Sequence, residues 1–464
     1  MKPTPADLQP TKISIIILAA GQGKRMKSAL PKVLHQIGGI PMLERVLATA
    51  AALKPQKTCV VYGHGGDQVR AAFEKMDLQW AKQEPQLGTG HAVLQALPEV
   101  LADGVTLILY GDVPLISTTT LAQLVATAQL GKVAWLTQLV EKPAGLGRVI
   151  RDDLGKVCAI VEDKDATPAQ REIKEINTGF VACPTELLVE WLPRLTNTNA
   201  QHEYYLTDIL GIAVAEKVAV ETLHPCADWE VTGINSKAQL AELERTYQRI
   251  KAEHLMSDGV TLIDPARVDI RGELICDSDV SIDINCLFEG SVKLSRGTKI
   301  GANCILRNCT VGEASEILPF SFIDGANIGA SARIGPYARI RPDTTLGNNV
   351  HIGNFVEIKA SEFGVGSKAN HLSYIGDSLV GKNVNIGAGT ITCNYDGANK
   401  HRTIIEDGVH IGSDVQLIAP ITIGQGADIA AGTTVWKNVP PGGLTLNAKT
   451  QLSNPDWKRP TKKK

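Results

Sequence analysis

The second half of the chain contains a six-residue repeat, clearest in residues 328–358, IGASARIGPYARIRPDTTLGNNVHIGNFVEI. Large aliphatic residues occupy every sixth position there and again further on: Ile328, Ile334, Ile340, Leu346, Ile352 and Ile358, then Ile411, Leu417, Ile423, Ile429 and Val435. A helix repeats every 3.6 residues and a strand every two, so neither explains this spacing. Hexapeptide repeats are typical of a parallel β-helix, whose coils bury their apolar faces by stacking.

Two further features of the repeat predict local structure. Small or β-branched residues are expected inside the coil at Ala332, Ala338, Thr344, Val350 and Val356, and the glycine after most aliphatic positions is expected to allow a tight corner. The phase breaks between Ala360 and Val365 and between Thr390 and Ile411. We expect both breaks to be inserted loops, which often carry functional sites.

The first half alternates strand-like and helix-like segments. Buried strands are predicted at Ile13–Leu18, Thr58–Tyr62, Val105–Tyr110 and Val133–Val140, helices at Leu43–Leu53 and Leu121–Leu130, a strand-like piece at Trp229–Ile234 and an amphipathic helix at Ser236–Leu255. Such alternation predicts a mostly parallel sheet covered by helices on both faces. Ligands are then expected at the carboxyl ends of the strands.

The length of 464 residues predicts two to four domains at about 150 residues each. We expect an α/β domain at 1–235, a helical linker at 236–257, a β-helix domain at 258–450 and a basic tail at 451–464. The tail carries Lys458, Arg459, Lys462, Lys463 and Lys464, which we interpret as solvated charges.

Composition excludes several classes of protein. With 47 Lys and Arg against 49 Asp and Glu, the chain has no broad positive field for nucleic acid. The nine cysteines form no C-x-x-C pair, which disfavours a disulfide framework or a zinc site and favours a reducing cytoplasm. The first apolar run, Ile13–Ala20, is too short for a signal peptide or a membrane span, so no membrane association is expected.

A glycine-rich loop follows the first strand. It reads LAAGQGKRMKSALPK from Leu18 to Lys32, and its glycines would let backbone N–H groups approach phosphates while Lys24, Arg25 and Lys32 supply positive charge. Met26 takes the place of the third glycine of the dinucleotide fingerprint. The glycines alone would fit an ordinary strand-to-helix turn equally well.

The whole loop, L-x-x-G-x-G-x-R-M-x-x-x-x-P-K, resembles the signature of sugar-nucleotide pyrophosphorylases. Further segments follow in the order typical of the bacterial bifunctional N-acetylglucosamine-1-phosphate uridyltransferase / glucosamine-1-phosphate N-acetyltransferase family: QLGTGHA (86–92), LYGDVPL (109–115), GLGRV (145–149), IVEDKDAT (160–167), EINTGF (175–180) and NAQHEYYLTDI (199–209). The resemblance runs from about Ile13 to about Val439.

That resemblance implies a fold and two activities. The N-terminal domain would have the Rossmann-like α/β fold of nucleotide-diphospho-sugar transferases, and the C-terminal domain would be a left-handed parallel β-helix of hexapeptide repeats. The enzyme would acetylate glucosamine 1-phosphate with acetyl-CoA and then join the product to UTP with Mg²⁺, releasing pyrophosphate. Its partners would be these small molecules, and it would form a homotrimer.

The resemblance also assigns residues to the uridyltransferase site. It makes Lys32 and Arg25 catalytic and gives the metal to Asp112 and Asn235. The remaining UTP and sugar contacts would be Ala19, Ala20, Gly21, Gln83, Gly88, Thr89, Tyr110, Gly147, Glu162, Asn177 and Thr207, with Asn235 shared. One carboxylate and one amide suffice for Mg²⁺, which keeps waters and phosphates as its other ligands. A structural turn at Asp112, a helix N-cap at Asn235 and a solvated charge at Glu162 are the alternatives.

For the acetyltransferase site, the resemblance makes His371 the general base, a role that suits histidine near neutral pH. It assigns the glucosamine phosphate to Arg341, Lys359, Tyr374, Asn385 and Lys400, and acetyl-CoA to Ala388, Asn394, Tyr395, Ser413 and Ala431. The Ala388 N–H would steady the developing oxyanion. Spacing alone would equally allow a surface histidine, and Lys359 and Arg341 could be plain outward charges.

One position departs from the family. An arginine that contacts coenzyme A phosphate is replaced here by Ala448, beside Lys449. Since lysine lacks the bidentate fork of arginine, we expect either a weaker coenzyme A contact or a contact supplied by other residues.

Two other interpretations remain open at this point. The chain could be a single-activity sugar-1-phosphate nucleotidyltransferase with a structural β-helix, although NHLSYIGD (370–377) and CNYDGANK (393–400) argue against that. A non-catalytic solenoid scaffold is disfavoured by the phosphate loop and Asp112.

Overall fold

The computed structural model describes residues 12–448, 450–460 and 462. They form two compact units that divide between Tyr247 and Gln248. None of the described helices is long and apolar enough to cross a membrane.

The first unit is built around one mixed sheet. Its strands β1 to β11 are Ile13–Leu18, Gln36–Ile37, Ile40–Pro41, Lys57–Tyr62, Gln79–Lys82, Val105–Tyr110, Val133–Leu139, Arg148–Arg151, Val157–Val161, Glu175–Pro184 and Val220–Leu223. The helices α1 to α8 are Met42–Ala51, Gly66–Ala72, Thr89–Ala96, Thr118–Ala128, Pro168–Arg171, Thr185–Trp191, Ile209–Ala215 and Lys237–Ser257, the last reaching into the second unit.

The sheet order is β11-β7-β10-β6-β1-β4-β5, with β8 and β9 beside β10 and a separate hairpin of β2 and β3. Only β10 runs antiparallel along this path within the described residues, and two apolar clusters fill the sheet's faces. The chain leaves β1 towards β4 on one side and later returns to β6 on the other. Ligands bind in the crevice that such a reversal opens at the carboxyl ends of strands.

The predicted strands and helices of this unit are confirmed, except at Trp229–Ile234. That segment is a 3-10 turn at Asp228–Val231 followed by irregular backbone. The buried Glu230 carboxylate accepts a hydrogen bond from the Ser117 N–H at 3.1 Å, and the Ile234 N–H donates to the Asp112 carbonyl at 3.0 Å. These contacts hold the segment against the β6 loop, so it does not extend as a strand.

The second unit is a parallel β-helix, as predicted. Its strands β12 to β38 are Thr261–Leu262, Val268–Cys276, Ser281–Ile282, Cys286–Leu294, Lys299–Ile300, Ile305–Val311, Glu316–Ile317, Phe322–Asp324, Ala326–Ile328, Arg333–Ile334, Arg339–Ile340, Thr344–Leu346, His351–Asn354, Glu357–Lys359, Glu362–Phe363, Lys368–His371, Tyr374–Gly376, Ser378–Val380, Asn385–Ile386, Ile391–Cys393, Thr403–Ile405, His410–Ile411, Gln416–Ile418, Ile421–Ile423, Asp428–Ile429, Thr434–Val435 and Leu444–Thr445. One face is the column β12-β14-β16-β18-β21-β24-β27-β30-β33-β36-β38. The other two faces are columns that join at the long strands β13, β15 and β17.

The interior of this unit follows the hexads. All eleven aliphatic positions of the repeat and all five small or β-branched positions named above are buried, and the aliphatic ones belong to one continuous apolar cluster. Parallel pairing brings equivalent residues into register, as between Ile334 and Ile352. Each coil therefore completes the core of its neighbours.

Gly335 makes a corner with a φ of 99°, as predicted, but the other glycines of the repeat are needed for a different reason. Gly329 and Gly347 do not have a positive φ, whereas several corners with positive φ carry Tyr337, Asn349 or Phe355 instead. A Cβ on Gly329 would lie 2.7 Å from the backbone carbon of Gly347, one coil away. Glycine is therefore required here by the close stacking of the coils.

The two phase breaks differ in kind. Ile352 pairs with Ala369 and Ala369 with Ile386, steps of 17 residues, so the first break is a shortened coil and its prediction as an inserted loop was wrong. NHLSYIGD accordingly lies in the wall, on β27 and β28. Ile386 pairs with Ile411, a step of 25, and the additional residues form an inserted loop, as predicted.

Candidate active sites

Lys32 is the centre of the candidate site in the first unit. Its ammonium forms an ion pair with the Asp112 carboxylate and donates a hydrogen bond to Asn235 Oδ1 at 2.9 Å. Asp112 follows β6, and Asn235 precedes α8. The predicted catalytic lysine and the two predicted metal ligands therefore meet at one point.

The helix-cap alternative for Asn235 is not what the structure shows. Ser236 caps α8, because its hydroxyl accepts a hydrogen bond from the Gln239 N–H at 3.3 Å. The Gln239 side chain in turn accepts from the Asn235 N–H at 2.8 Å. These bonds leave the Asn235 side-chain oxygen directed at Lys32.

A cleft of about 280 Å³ opens beside Lys32, at the carboxyl ends of β1 and β6. Its lining includes most of the predicted UTP-site residues: Ala19, Ala20, Gly21, Lys32, Gln83, Gly88, Thr89, Tyr110 and Asp112. It also includes Gln86 and Glu203, which were not predicted as site residues. Gln86 lies in the quoted QLGTGHA segment and its side chain donates to the Ala20 carbonyl.

The wall of this cleft is held by backbone contacts that demand glycine. Gly88 immediately precedes α3 and has a φ of 107°, and a Cβ there would lie 2.6 Å from the Tyr204 carbonyl oxygen. Gln83 donates to the Gly88 carbonyl at 2.8 Å, and Thr89 accepts from the Leu206 N–H at 3.1 Å. The QLGTGHA and NAQHEYYLTDI segments therefore form one wall.

The predicted sugar ligands also form a group. Thr207 donates to Glu162 Oε1 at 3.3 Å, the Asn177 N–H donates to the Gly147 carbonyl at 2.8 Å, and a Cβ on Gly147 would lie 3.2 Å from Glu162 Oε1. Asn177 Oδ1 accepts from Trp135 at 2.7 Å and from the Gly179 N–H at 2.8 Å. Only its NH₂ group is then left for a ligand.

Burial raises the pKa of Glu162, and the nearby carboxylates of Asp208, Asp165 and Glu203 raise it further against the hydrogen bond from Thr207. Burial, with the charges of Glu162 and Asp112, also raises the pKa of Tyr110. Glu162 is therefore a partly buried acid among other acids, and the alternative of a solvated surface charge does not describe it.

This raised pKa predicts a pH-dependent stability difference. The folded-state pKa of Glu162 lies above the ordinary value of 4.5, and ionisation is therefore easier in the unfolded chain. Stability should fall as the pH rises from 4.5 through the folded-state pKa. We expect Glu162→Gln to melt at a higher temperature than the wild type at pH 8, with a smaller difference at pH 5, by scanning calorimetry. The exposed Glu141→Gln is the control; an equal effect of both variants would contradict the prediction.

Arg25 is exposed and does not line the cleft, so the structure does not bring it to Lys32 and Asp112. Its neighbour Met26 is buried in an apolar cluster with Ile37, Met42 and Ile234. The Met26 side chain therefore anchors the loop, at the position where the fingerprint has its third glycine.

In the second unit, His371 ends β27 at a corner of the coil, with its side chain exposed. Its Nδ1 lies 3.1 Å from Oδ1 of Asn354, the residue that pairs with it on the preceding coil. The Gly389 N–H donates to the His371 carbonyl at 3.4 Å.

The corner position of His371 is occupied on the following coils by Ala388, Ser413 and Ala431. The Asp414 N–H donates to the Ala388 carbonyl at 2.7 Å, and the Gly432 N–H donates to the Ser413 carbonyl at 2.8 Å. The Ala388 N–H has no hydrogen-bond acceptor among the described residues. Three of the five predicted acetyl-CoA residues thus follow His371 along one edge.

Four of the five predicted phosphate ligands form a second cluster in this unit: Arg341, Lys359, Tyr374 and Lys400. Lys359 Nζ contacts both carboxylate oxygens of Asp377, at 3.0 and 3.1 Å, and Arg341 donates to Glu357 at 2.8 Å. The Lys359 ammonium lowers the pKa of Lys400, and the contact with Lys400 and the Asp377 carboxylate raise that of Lys359. Tyr374 lies on β28, in register with Glu357.

The inserted loop brings Lys400 and the last two predicted acetyl-CoA residues to the same region. Asn394 is buried and donates to Asp377, while Tyr395 is exposed and pairs with Lys400 across a hairpin. Asp396 closes the hairpin by accepting from the Ala398 and Asn399 N–H groups, at 2.8 and 2.7 Å.

Some predicted residues lie apart from these clusters. Asn385 is exposed on β30, between Lys368 and His410 in the column of strands, and contacts none of the phosphate ligands in the described part of the chain. Ala448 is exposed after β38, whereas Lys449 and the tail residues Lys463 and Lys464 lie outside the described residues.

The structure also places polar residues that the sequence analysis did not single out: Asn354, Glu357 and Asp377. Each lies 16 to 18 positions from its partner, which is about one coil. Once the hexads are assigned, this spacing is a usable signal for pairs on neighbouring coils.

Comparison with known proteins agrees with the division of the chain into two units. Residues 15–172 match the model of the MobA-like NTP transferase domain, and residues 270–352 and 326–417 match that of the GMPPB C-terminal domain. The bifunctional protein GlmU of Aromatoleum aromaticum is 57% identical over 97% of this chain and 99% of its own length. The corresponding protein of Nitrosospira multiformis is 58% identical over 98% and 99%.

This chain belongs to the GlmU family. A solved UDP-glucose pyrophosphorylase, by contrast, is only 16% identical over 51% of this chain and 98% of its own, with a TM-score of 0.42. The GlmU relationship covers both units, so the chain is a bifunctional enzyme of UDP-N-acetylglucosamine synthesis, with uridyltransferase and glucosamine-1-phosphate acetyltransferase activities. A single-activity enzyme with a structural β-helix is not favoured, and the GlmU family is consistent with a need for a divalent cation.

Proposed function

We propose that the cleft beside Lys32 is the uridyltransferase site and that its cation is Mg²⁺, held by Asp112 and Asn235. The donor set fits: both residues direct an oxygen at the same ammonium, and Mg²⁺ needs few protein oxygens. In the described residues no group of three or more His, Cys, Asp or Glu side chains could hold a metal. Mg²⁺ would neutralise charge on the triphosphate.

The protein's own groups then perform the transfer by positioning and charge. A sugar 1-phosphate oxygen attacks the α-phosphorus of UTP, and pyrophosphate leaves from the opposite side, with no covalent enzyme step. Asp112 and Asn235 would hold the cation, and Lys32, which lines the same cleft, would contact phosphate through its ammonium. Ala19, Ala20, Gly21, Gln83, Gly88 and Thr89 bind the nucleotide; Tyr110, Gly147, Glu162, Asn177 and Thr207 bind the sugar. Arg25 would approach the phosphates from the exposed loop that follows β1.

We also propose that the corner beginning at His371 is the acetyltransferase site. His371 Nε2 takes the proton as the sugar amine attacks the thioester carbonyl, and the coenzyme A thiolate leaves. The unpaired Ala388 N–H can then donate to the oxyanion. Arg341, Lys359, Tyr374, Asn385 and Lys400 bind the sugar phosphate, and Asn394, Tyr395, Ser413 and Ala431 bind acetyl-CoA. The observation that carries this proposal is the alignment of His371 and Ala388 on consecutive coils.

Assembly, location and boundaries complete the proposal. The family resemblance supports a homotrimer, and the nine free cysteines support a reducing, cytoplasmic location. The functional domains are 1–235 and 258–450, joined by the helix at 236–257. The substrates are UTP, sugar 1-phosphates and acetyl-CoA; neither nucleic acid nor membrane is a partner.

The test separates the two reactions. With UTP, Mg²⁺ and N-acetylglucosamine 1-phosphate, we expect pyrophosphate release without any thiol. With acetyl-CoA and glucosamine 1-phosphate, we expect free coenzyme A thiol, detected colorimetrically, and no pyrophosphate until UTP is added. A preparation that releases pyrophosphate in the first assay but no thiol in the second would contradict the acetyltransferase site.

A further inference from the structure

The Asn354 side chain lies within hydrogen-bond distance of the imidazole of His371. The two residues pair in register on consecutive coils, and Asn354 Oδ1 lies 3.1 Å from His371 Nδ1. A side-chain carbonyl oxygen can only accept a hydrogen bond, so the proton of the neutral ring must be on Nδ1. The lone pair is then on Nε2.

The backbone on both sides is already held in place. The Leu372 N–H donates to the Asn354 carbonyl at 3.1 Å, and the Ser373 hydroxyl donates to the His371 carbonyl at 2.8 Å. What remains free is rotation of the exposed His371 ring, and the contact with Asn354 restricts that rotation.

We propose that Asn354 is the positioning residue for the acetyl transfer. It holds His371 in the orientation and tautomer that leave Nε2 ready to accept the amine proton. The inference rests on the proposed role of His371 as the base. Asn354 does not touch the reacting atoms itself.

An amide at this place has a consequence that a carboxylate would not have. Because Asn354 is uncharged, it orients the ring without favouring the imidazolium ion. The other titratable groups on neighbouring strands are His351 on β24, Lys368 on β27 and Tyr374 on β28, and Asp414 follows two coils on. None of them forms a hydrogen bond or an ion pair with the His371 ring within the described residues. Asn354 therefore orients the ring without adding a charge beside it.

The test is the pH dependence of acetylation by three full-length variants. For Asn354→Ala we expect kcat to fall roughly ten- to a hundredfold, the loss that a misplaced catalytic group produces, with little change in the KM for acetyl-CoA. For Asn354→Asp, orientation is kept, but the negative charge stabilises the imidazolium, so the acidic limb of the kcat/KM profile should move up by about one pH unit. Asn327→Ala, on β20, is the control and should keep the wild-type rate and profile.

Uridylyl transfer by each variant reports whether the protein is folded. If His371→Ala abolishes acetylation while both Asn354 variants keep the wild-type kcat and profile, the positioning role is wrong and the proposed function stands. If His371→Ala itself keeps acetylation, the proposed function fails. An unmoved acidic limb in Asn354→Asp would overturn the inference even if its kcat fell.

Discussion

Replacing His371 with alanine should abolish acetylation of glucosamine 1-phosphate and leave uridylyl transfer at the wild-type rate. The substitution removes the group that accepts the amine proton, and general-base catalysis contributes about 10²- to 10⁴-fold. Because the His371 side chain is exposed and does not contribute to the apolar core of the β-helix, its loss should not unfold the coil. Thiol release and pyrophosphate release, measured on one preparation, check both halves of the prediction.

The matched control is His410→Ala. His410 lies in the same column of strands, and its side chain is 62% exposed, so removing it changes a surface imidazole without touching the corner. We expect it to retain both activities. Loss of uridylyl transfer in folded His371→Ala would show that the two reactions do not occupy separate sites.

Asp112→Ala should have the complementary effect. The carboxylate is the charged member of the proposed cation site, and it is also the ion-pair partner of Lys32. Metal stabilisation of developing charge is worth several kcal/mol, so pyrophosphate formation should fall by about 10³-fold or more. Acetylation should be unchanged, because Asp112 is not among the residues proposed for the acetyltransferase site.

Direct cation binding gives this prediction a second readout. Calorimetric titration with Mg²⁺ in the presence of UTP should show weaker binding to Asp112→Ala than to the wild type. Asp103→Ala, which removes an exposed carboxylate paired with Lys12, should behave as the wild type. Full uridylyl transfer by Asp112→Ala would refute the assignment of the metal site.

The unequal success of the sequence predictions has a physical cause. The four buried strands predicted in the first unit and the coils of the second were predictable, because apolar runs and a six-residue period reflect which side chains a local structure can bury. The strand predicted at Trp229–Ile234 was not, because contacts distant in sequence decide that segment. The glycines that follow most of the aliphatic residues were also recognisable, but for all except Gly335 the reason was not, because it lies in the backbone of the next coil. Likewise, the residues of NHLSYIGD could be identified, whereas their location in the wall depends on pairing between coils.

Site residues divide in the same way. Lys32 and Asp112 stand out because a phosphate loop and a strand-ending carboxylate have local signatures. Asp377 and Asn354 have none; they are defined by the partners to which they hydrogen-bond, Lys359 and His371. Arg25 shows the converse, since its motif is clear but the folded loop leaves it exposed and outside the cleft lining.

The amino-acid sequence by itself determined two architectures and the residue types of two chemistries, because periodicity and motifs are properties of neighbouring positions. Only the tertiary structure decided which groups act together. Lys32 meets Asp112 across 80 positions and Asn235 across 203, and neither distance has any local signal. Sheet pairing and the capping of α8 by Ser236 direct those oxygens at one ammonium, and coil stacking places Asn354 against His371.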